Sequence, residues 1–187
     1  MEKVIDEILK GIIRWAYPQF RRPKGYTSYR SIFIHYFILQ KIIGFNRQVP
    51  WPVHFTSMVR GWEHIEKGIC CDPGDSPGIY INAYGGLKFG DDIEIGANTT
   101  ITTTNHNKYD YRKEGFKKGI VIGNHVWIGS NCCITAGVTI GDNVTIGAGC
   151  VIRQDIPSNT TVVSKSADLE LIPKRAYEWD CTREELM

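Results

Sequence analysis

Apolar side chains fall six residues apart at Phe89, Ile95 and Ile101, and again at Ile122, Ile128, Ile134, Ile140, Ile146 and Ile152. Small or β-branched residues mostly follow four places later, at Ile93, Thr99, Val126, Cys132, Val138, Val144, Cys150 and Ile156. Asn98, Asn131, Gly137, Asn143 and Gly149 hold the fourth place of their hexads. Asn and Gly tolerate positive φ, so each hexad reads as a short strand and a tight corner. A chain that turns every six residues must wind. Three hexads close a triangular coil and bring each residue over the one eighteen later, at about the 4.8 Å strand spacing. Ile128, Ile134 and Ile140 are then expected on three faces of one coil, Ile146 above Ile128, and Cys132 beneath Cys150. Side chains stacked in one column and pointing the same way are read as small core fillers rather than a disulfide.

The run GNHVWIGSNCCITAGVTIGDNVTIGAGCVIRQDIPSNT, with IYINAYGG upstream, resembles the hexapeptide-repeat acyltransferases, in particular their sugar and xenobiotic O-acetyltransferase branch. The resemblance spans about residues 78–163. The expected fold is mainly β, a left-handed parallel β-helix with an N-terminal helical segment and a short C-terminal helix; only the left hand rests on the resemblance. The resemblance also implies a homotrimer whose clefts between subunits receive acetyl-CoA and an acceptor sugar.

Ile101 and Ile122 lie twenty-one residues apart, not a multiple of six, so residues 105–119 must leave the coil as a loop. A loop of that length inside a regular solid is a functional feature or a disordered one. His106 opens it. An imidazole with an ordinary pKa of ~6.5 is mostly neutral near pH 7 and can take a proton from an alcohol and return it. The resemblance gives this position the catalytic base, with Asn82 contacting the acceptor and Trp127, outward at the end of its hexad, lining the cleft. It implies coenzyme A, for which Ser130, Ala148 and Arg153 are the candidates by position, small residues along the pantetheine arm and a cation at a phosphate, with Lys165, Lys174 and Arg175 as further phosphate partners where the chain departs from the family pattern. His125 stands at a corner place, where histidine enters left-handed geometry more readily than most residues. His54 and His64 are read as structural.

Three regions follow: a basic, aromatic helical segment at 1–60, the β-helix at 61–165, and a tail at 166–187 with a short helix after Pro173. The first sixty residues hold ten Lys/Arg against three Asp/Glu, the remainder twelve against seventeen. Val4, Ile5, Ile8, Leu9, Ile12 and Ile13 predict an amphipathic helix closed by Pro18. A second helix is expected from Ser28 to Gly44, too short and too charged to span a bilayer of ~20 residues. These helices either cap the open coil and build subunit contacts or approach a membrane surface. Residues 46–77 read as an irregular connector.

MEKVIDEILK lacks the cationic-then-apolar pattern of a signal peptide, and no Cys-x-x-Cys pair is present. A cytoplasmic protein is expected, at most peripheral to the inner membrane face, with no metal and no nucleic acid partner. The leading expectation is acetylation of a sugar hydroxyl in polysaccharide or lipopolysaccharide modification. An N-acyltransferase on an amino sugar uses the same base. A β-helix metalloenzyme would need a third histidine beside His106 and His125, and a non-catalytic solenoid would have little use for a polar loop headed by His106.

Overall fold

The structure is a computed structural model and describes residues 2–20 and 28–165; the expected C-terminal helix, Lys174 and Arg175 lie outside the described residues. Among the described residues, fifteen short strands form three parallel sheets and one hairpin. Face A contains β1 (Met58–Arg60), β3 (Tyr80–Asn82), β6 (Thr100–Thr102), β11 (Cys133–Ile134) and β14 (Val151–Ile152). Face B contains β2 (Ile65–Glu66), β4 (Leu87–Phe89), β9 (Ile120–Ile122) and β12 (Thr139–Ile140). Face C contains β5 (Ile93–Ile95), β10 (Val126–Ile128), β13 (Val144–Ile146) and β15 (Thr161–Val162). The chain passes A to B to C in each full turn, a triangular parallel β-helix. The remaining pair, β7 (Thr104–His106) and β8 (Glu114–Lys117), is antiparallel and stands off the prism.

Ile128, Ile134 and Ile140 occupy faces C, A and B, and Ile146 pairs with Ile128, as the period of six requires. The isoleucine columns fill the prism, with Ile101, Ile128 and Ile134 at 0 % exposure. The corners have the backbone that Asn and Gly were expected to supply: φ is 59° at Asn98, 58° at Asn131 and 76° at Gly149 on the edge from face C to face A. On the edge from B to C, Asp92, His125, Asn143 and Asn159 have φ between 54° and 60°. His125 is thus a corner residue, its Nδ1 3.0 Å from the Asp92 carboxylate. Cys132 and Cys150 are buried free thiols; Cys132 Sγ donates to the Gly147 carbonyl at 3.2 Å.

The connector proves more ordered than its sequence suggests. Met58 pairs with Tyr80 and Ile65 with Leu87, offsets of 22 residues, and Tyr80 pairs with Thr100, an offset of 20. The first coils are therefore longer than three hexads, and their strands escape a search for a period of six.

Helix α1 (Glu2–Ala16) precedes α2 (Tyr29–Ile32), which is capped by Ser28 and continues as a π-helical segment (Phe33–Ile43) that Gly44 ends at φ 112°. This segment is pinned to the bottom of the prism by polar groups. Buried Gln40 donates to the carbonyls of Asn46, Val49 and Trp51 and accepts from Val53 N, while Tyr36 Oη donates to Asp75 O. An amide meeting four backbone groups covers an otherwise open coil end. The helices thus cap the prism. They are nevertheless far from buried all round, since Ile34, Ile38, Ile42 and Ile43 face solvent.

Candidate functional site

Where β6 ends, the helix would turn onto face B, but the ladder offset here becomes 33 residues (Val126 to Ile93) instead of 18 (Val126 to Val144). Fifteen residues are inserted at this one edge. Thr103, fully buried, pins both ends of the insertion. Its N–H and Oγ1 donate to Asn82 O at 2.9 Å each, its Oγ1 accepts from Gly85 N at 2.7 Å, and its carbonyl accepts from Lys118 N at 2.9 Å. The chain leaves and returns at a single residue, so what lies between is held by its base and not only by its ends.

The hairpin β7–β8 rises from this anchor and carries His106 on its outgoing strand, opposite Glu114 in the backbone register. Gly115 makes the pairing possible. A Cβ there would strike the Asn105 carbonyl oxygen and come within 2.6 Å of the His106 backbone carbon, so only glycine lets the strands approach this closely. The tip is folded by Asn107, whose Oδ1 accepts from Tyr109 N and Asp110 N at 2.9 and 3.2 Å. Asp110 is buried, and Arg112 grips it: Nε to Oδ1 3.0 Å and Nη2 to Oδ2 3.1 Å, with Lys113 Nζ at 3.5 Å. Chiefly through the Arg112 side-chain hydrogen bond, its pKa is lowered to about 2.

The His106 imidazole is exposed, with the Tyr111 ring edge-on at 6.3 Å between centroids. It opens onto a cleft of about 400 Å³ lined by Tyr84, Thr104, Asn105, His106, Lys113, Gly115 and Lys117. Tyr84 is a lining residue that sequence reasoning missed; its only sequence cue is its place just after the YIN phrase. Asn82 does not line the cleft. Its carbonyl holds Thr103, its Oδ1 accepts from Tyr84 N at 3.4 Å, and it lies on face A between Arg60 and Thr102. Asn82 thereby supports both the loop base and Tyr84.

The other predicted site residues divide by edge. Arg153 follows β14 and so stands, exposed, on the same A-to-B edge as the hairpin. Trp127 projects from face C, 59 % exposed, between Glu94 and Thr145 in its ladder. Ser130 and Ala148 stack on the C-to-A edge, where Gly149 N donates to Ser130 O at 2.9 Å, and Lys165 runs off the top of face C. Within one chain the A-to-B edge and face C are opposite sides of the prism, so His106 and Trp127 cannot share a cleft in a single copy.

The Ser130–Ala148 edge suits an extended chain with amide groups. A Cβ at Gly129 would lie 2.6 Å from Ala148 N, so successive corners nest at backbone distance, and exposed Ala148 adds only a methyl group over them. Among the described residues, no group of three or more His, Cys, Asp or Glu could hold a metal ion.

Residues 119–154 match the family model described as bacterial transferase hexapeptide (six repeats). Over 76 residues, 39% of this chain, the sequence is 48% identical to the galactoside O-acetyltransferase of Escherichia coli (strain K12), and the matched stretch spans 37% of that protein's length. Solved structures similar to this chain include a galactoside acetyltransferase in complex with coenzyme A (31% identity, TM-score 0.46, covering 57% of this chain and 56% of that one). Another is a hexapeptide-repeat acetyltransferase from Vibrio cholerae complexed with acetyl-CoA (30% identity, TM-score 0.46, covering 56% of this chain and 61% of that one).

Proposed function

We propose that this protein is an acetyl-CoA-dependent O-acetyltransferase acting on a sugar hydroxyl, a reading supported by the match of residues 119–154 to the bacterial transferase hexapeptide model. The observation that carries the reading is an exposed imidazole, held on a hairpin that is anchored at Thr103, at the wall of a cleft of about 400 Å³. The relative with 48% identity acetylates galactosides, which supports a sugar acceptor; polysaccharide or lipopolysaccharide decoration is the setting we favour.

His106 takes the proton of the acceptor hydroxyl as the oxygen attacks the thioester carbonyl. It then returns that proton to the sulfur as the carbon–sulfur bond breaks, so no covalent enzyme intermediate is needed. Tyr84 offers a ring face to the apolar side of a sugar, and Asn82 fixes that ring's backbone. Trp127, Ser130, Ala148 and Lys165 would hold the donor along face C and its edge with face A, the cation meeting a phosphate. Arg153, on the hairpin's own edge, would meet a second anionic group of the ligands. Since His106 and Trp127 stand on opposite sides of one prism, the complete site is proposed to form between neighbouring copies in a homotrimer. The free thiols of Cys70, Cys71, Cys132, Cys133 and Cys150 suit a cytoplasmic location.

The test is to incubate purified protein with acetyl-CoA and a panel of glycans and to follow thiol release. Acceptor-dependent release is expected, and His106→Ala should lower kcat by about 10²–10⁴ with circular dichroism unchanged. A variant within threefold of wild type would sink the assignment.

A further inference from the structure

Two cations stand in the wall of the His106 cleft. Lys113 and Lys117 line it, and among its described lining residues none is a carboxylate. Alternation along β8 and its flanking residues selects these two. Successive side chains of a strand point to opposite sides, so Lys113, Gly115 and Lys117 share the face turned to the cleft. Lys118 takes the other side, its methylene chain lying over Gly137 on the prism. Gly115 has no side chain to fill the space between the two lysines, whose Cα atoms are at most about 13 Å apart in extended chain. Two flexible ammonium arms can therefore converge on one group above the glycine.

The charge of the insertion is not balanced from within. Residues 105–119 hold five Lys/Arg against two Asp/Glu, a surplus of three positive charges beside the proposed base. Asp110, the carboxylate that Lys113 approaches at 3.5 Å, already takes two side-chain hydrogen bonds from Arg112. A neutral sugar offers an ammonium group only hydroxyls, which replace water at little gain. A carboxylate or phosphate offers a charge-assisted bond roughly twice as strong. The coenzyme's own phosphates are a poor match here, because a donor that brings its thioester to His106 places them at the far end of the pantetheine arm.

Resting on the sugar acetyltransferase reading, we propose that the acceptor is an acidic sugar whose carboxylate or phosphate lies near the hydroxyl that His106 deprotonates, and that Lys113 and Lys117 select it. Both lysines are exposed, so the selection is screened by salt and weakens as ionic strength rises.

Matched acceptors test this by thiol release: galacturonic acid and galactose 6-phosphate against galactose, and glucuronic acid against glucose. At about 50 mM salt kcat/KM should favour an acidic sugar over its neutral partner by about tenfold. At about 1 M salt, where screening contracts to about 3 Å, the advantage should shrink toward one. Whether galacturonic acid or galactose 6-phosphate gains more identifies the anion. Lys113→Gln with Lys117→Gln should bring the ratio to about one, and Lys113→Arg with Lys117→Arg should preserve it; Lys117→Gln alone is the milder variant should the double one disturb the hairpin. Three results overturn the proposal alone: neutral sugars used as well as every acidic partner, a preference that neither salt nor the glutamine variants reduce, or glutamine variants that raise KM for acetyl-CoA and leave the preference intact. Thiol release with none of these acceptors, acidic or neutral, would overturn the sugar acetyltransferase reading and this proposal with it.

Discussion

At the scale of single residues, the candidate base depends on neighbours that never touch a substrate. Gly115 is the strictest of them, because the atoms a Cβ would meet are backbone and cannot swing aside. Gly115→Ala should therefore part β7 from β8, shift His106 and lower kcat at least about tenfold, while the melting of the prism stays near wild type. A thermal scan beside a thiol-release assay separates the two effects. Asp110 adds a pH limit. Its carboxyl is depressed to about 2 in the fold from an ordinary 3.8. Its contribution to loop order is thus fully present above the unfolded value and is lost as pH falls from about 3.8 through about 2. Protection of the amides of residues 107–113, taken relative to their intrinsic exchange at each pH, should be high at pH 5 and fall below pH 3; protection already absent at pH 5 would contradict the Arg112–Asp110 clamp. His106 is legible in the sequence because it sits where the period of six fails. Gly115 and Tyr84 are not, since a close backbone approach and a shared cleft arise only after the hairpin has folded back.

Elements make the same division between local and distant causes. The upper coils were legible because each strand and corner is specified by six residues: isoleucine inward, then Asn or Gly at positive φ. The lower coils, with ladder offsets of 22 and 20, carry no such period, and what specifies them is the cap that Gln40 fixes to Val49, Trp51 and Val53. The sequence predicts one helix from Ser28 to Gly44. The backbone agrees at both ends but widens to π geometry between Phe33 and Ile43, in the stretch from which Gln40 and Lys41 reach the connector. Inside the prism the isoleucine columns should be costly to thin. Ile134→Ala, at a site with no exposure beside Ile101 and Ile152, should lower unfolding stability by about 2–5 kcal/mol. Denaturant titration measures it, and a loss well below that range would mean the coil collapses around the missing volume.

For the whole molecule, the proposed trimer turns an awkward feature of one chain into a requirement. One prism holds His106 off its A-to-B edge and Trp127 on the opposite face, so each cleft of a cyclic trimer would take its histidine from one copy and its tryptophan from the next. His106→Ala and Trp127→Ala should then each be weak enzymes alone yet complement each other when unfolded together and refolded as mixed trimers. If subunits assort at random from an equal mixture, any given cleft pairs an intact histidine with an intact tryptophan in about one case in four, because each of two neighbours must be of the right kind. Activity should recover to about a quarter of wild type, measured by thiol release after mass by light scattering has established the assembly. Both residues acting within one copy would give no recovery at any mixing ratio, since every chain lacks one of them. Recovery therefore reports on how the prisms are arranged, independently of which sugar is acetylated.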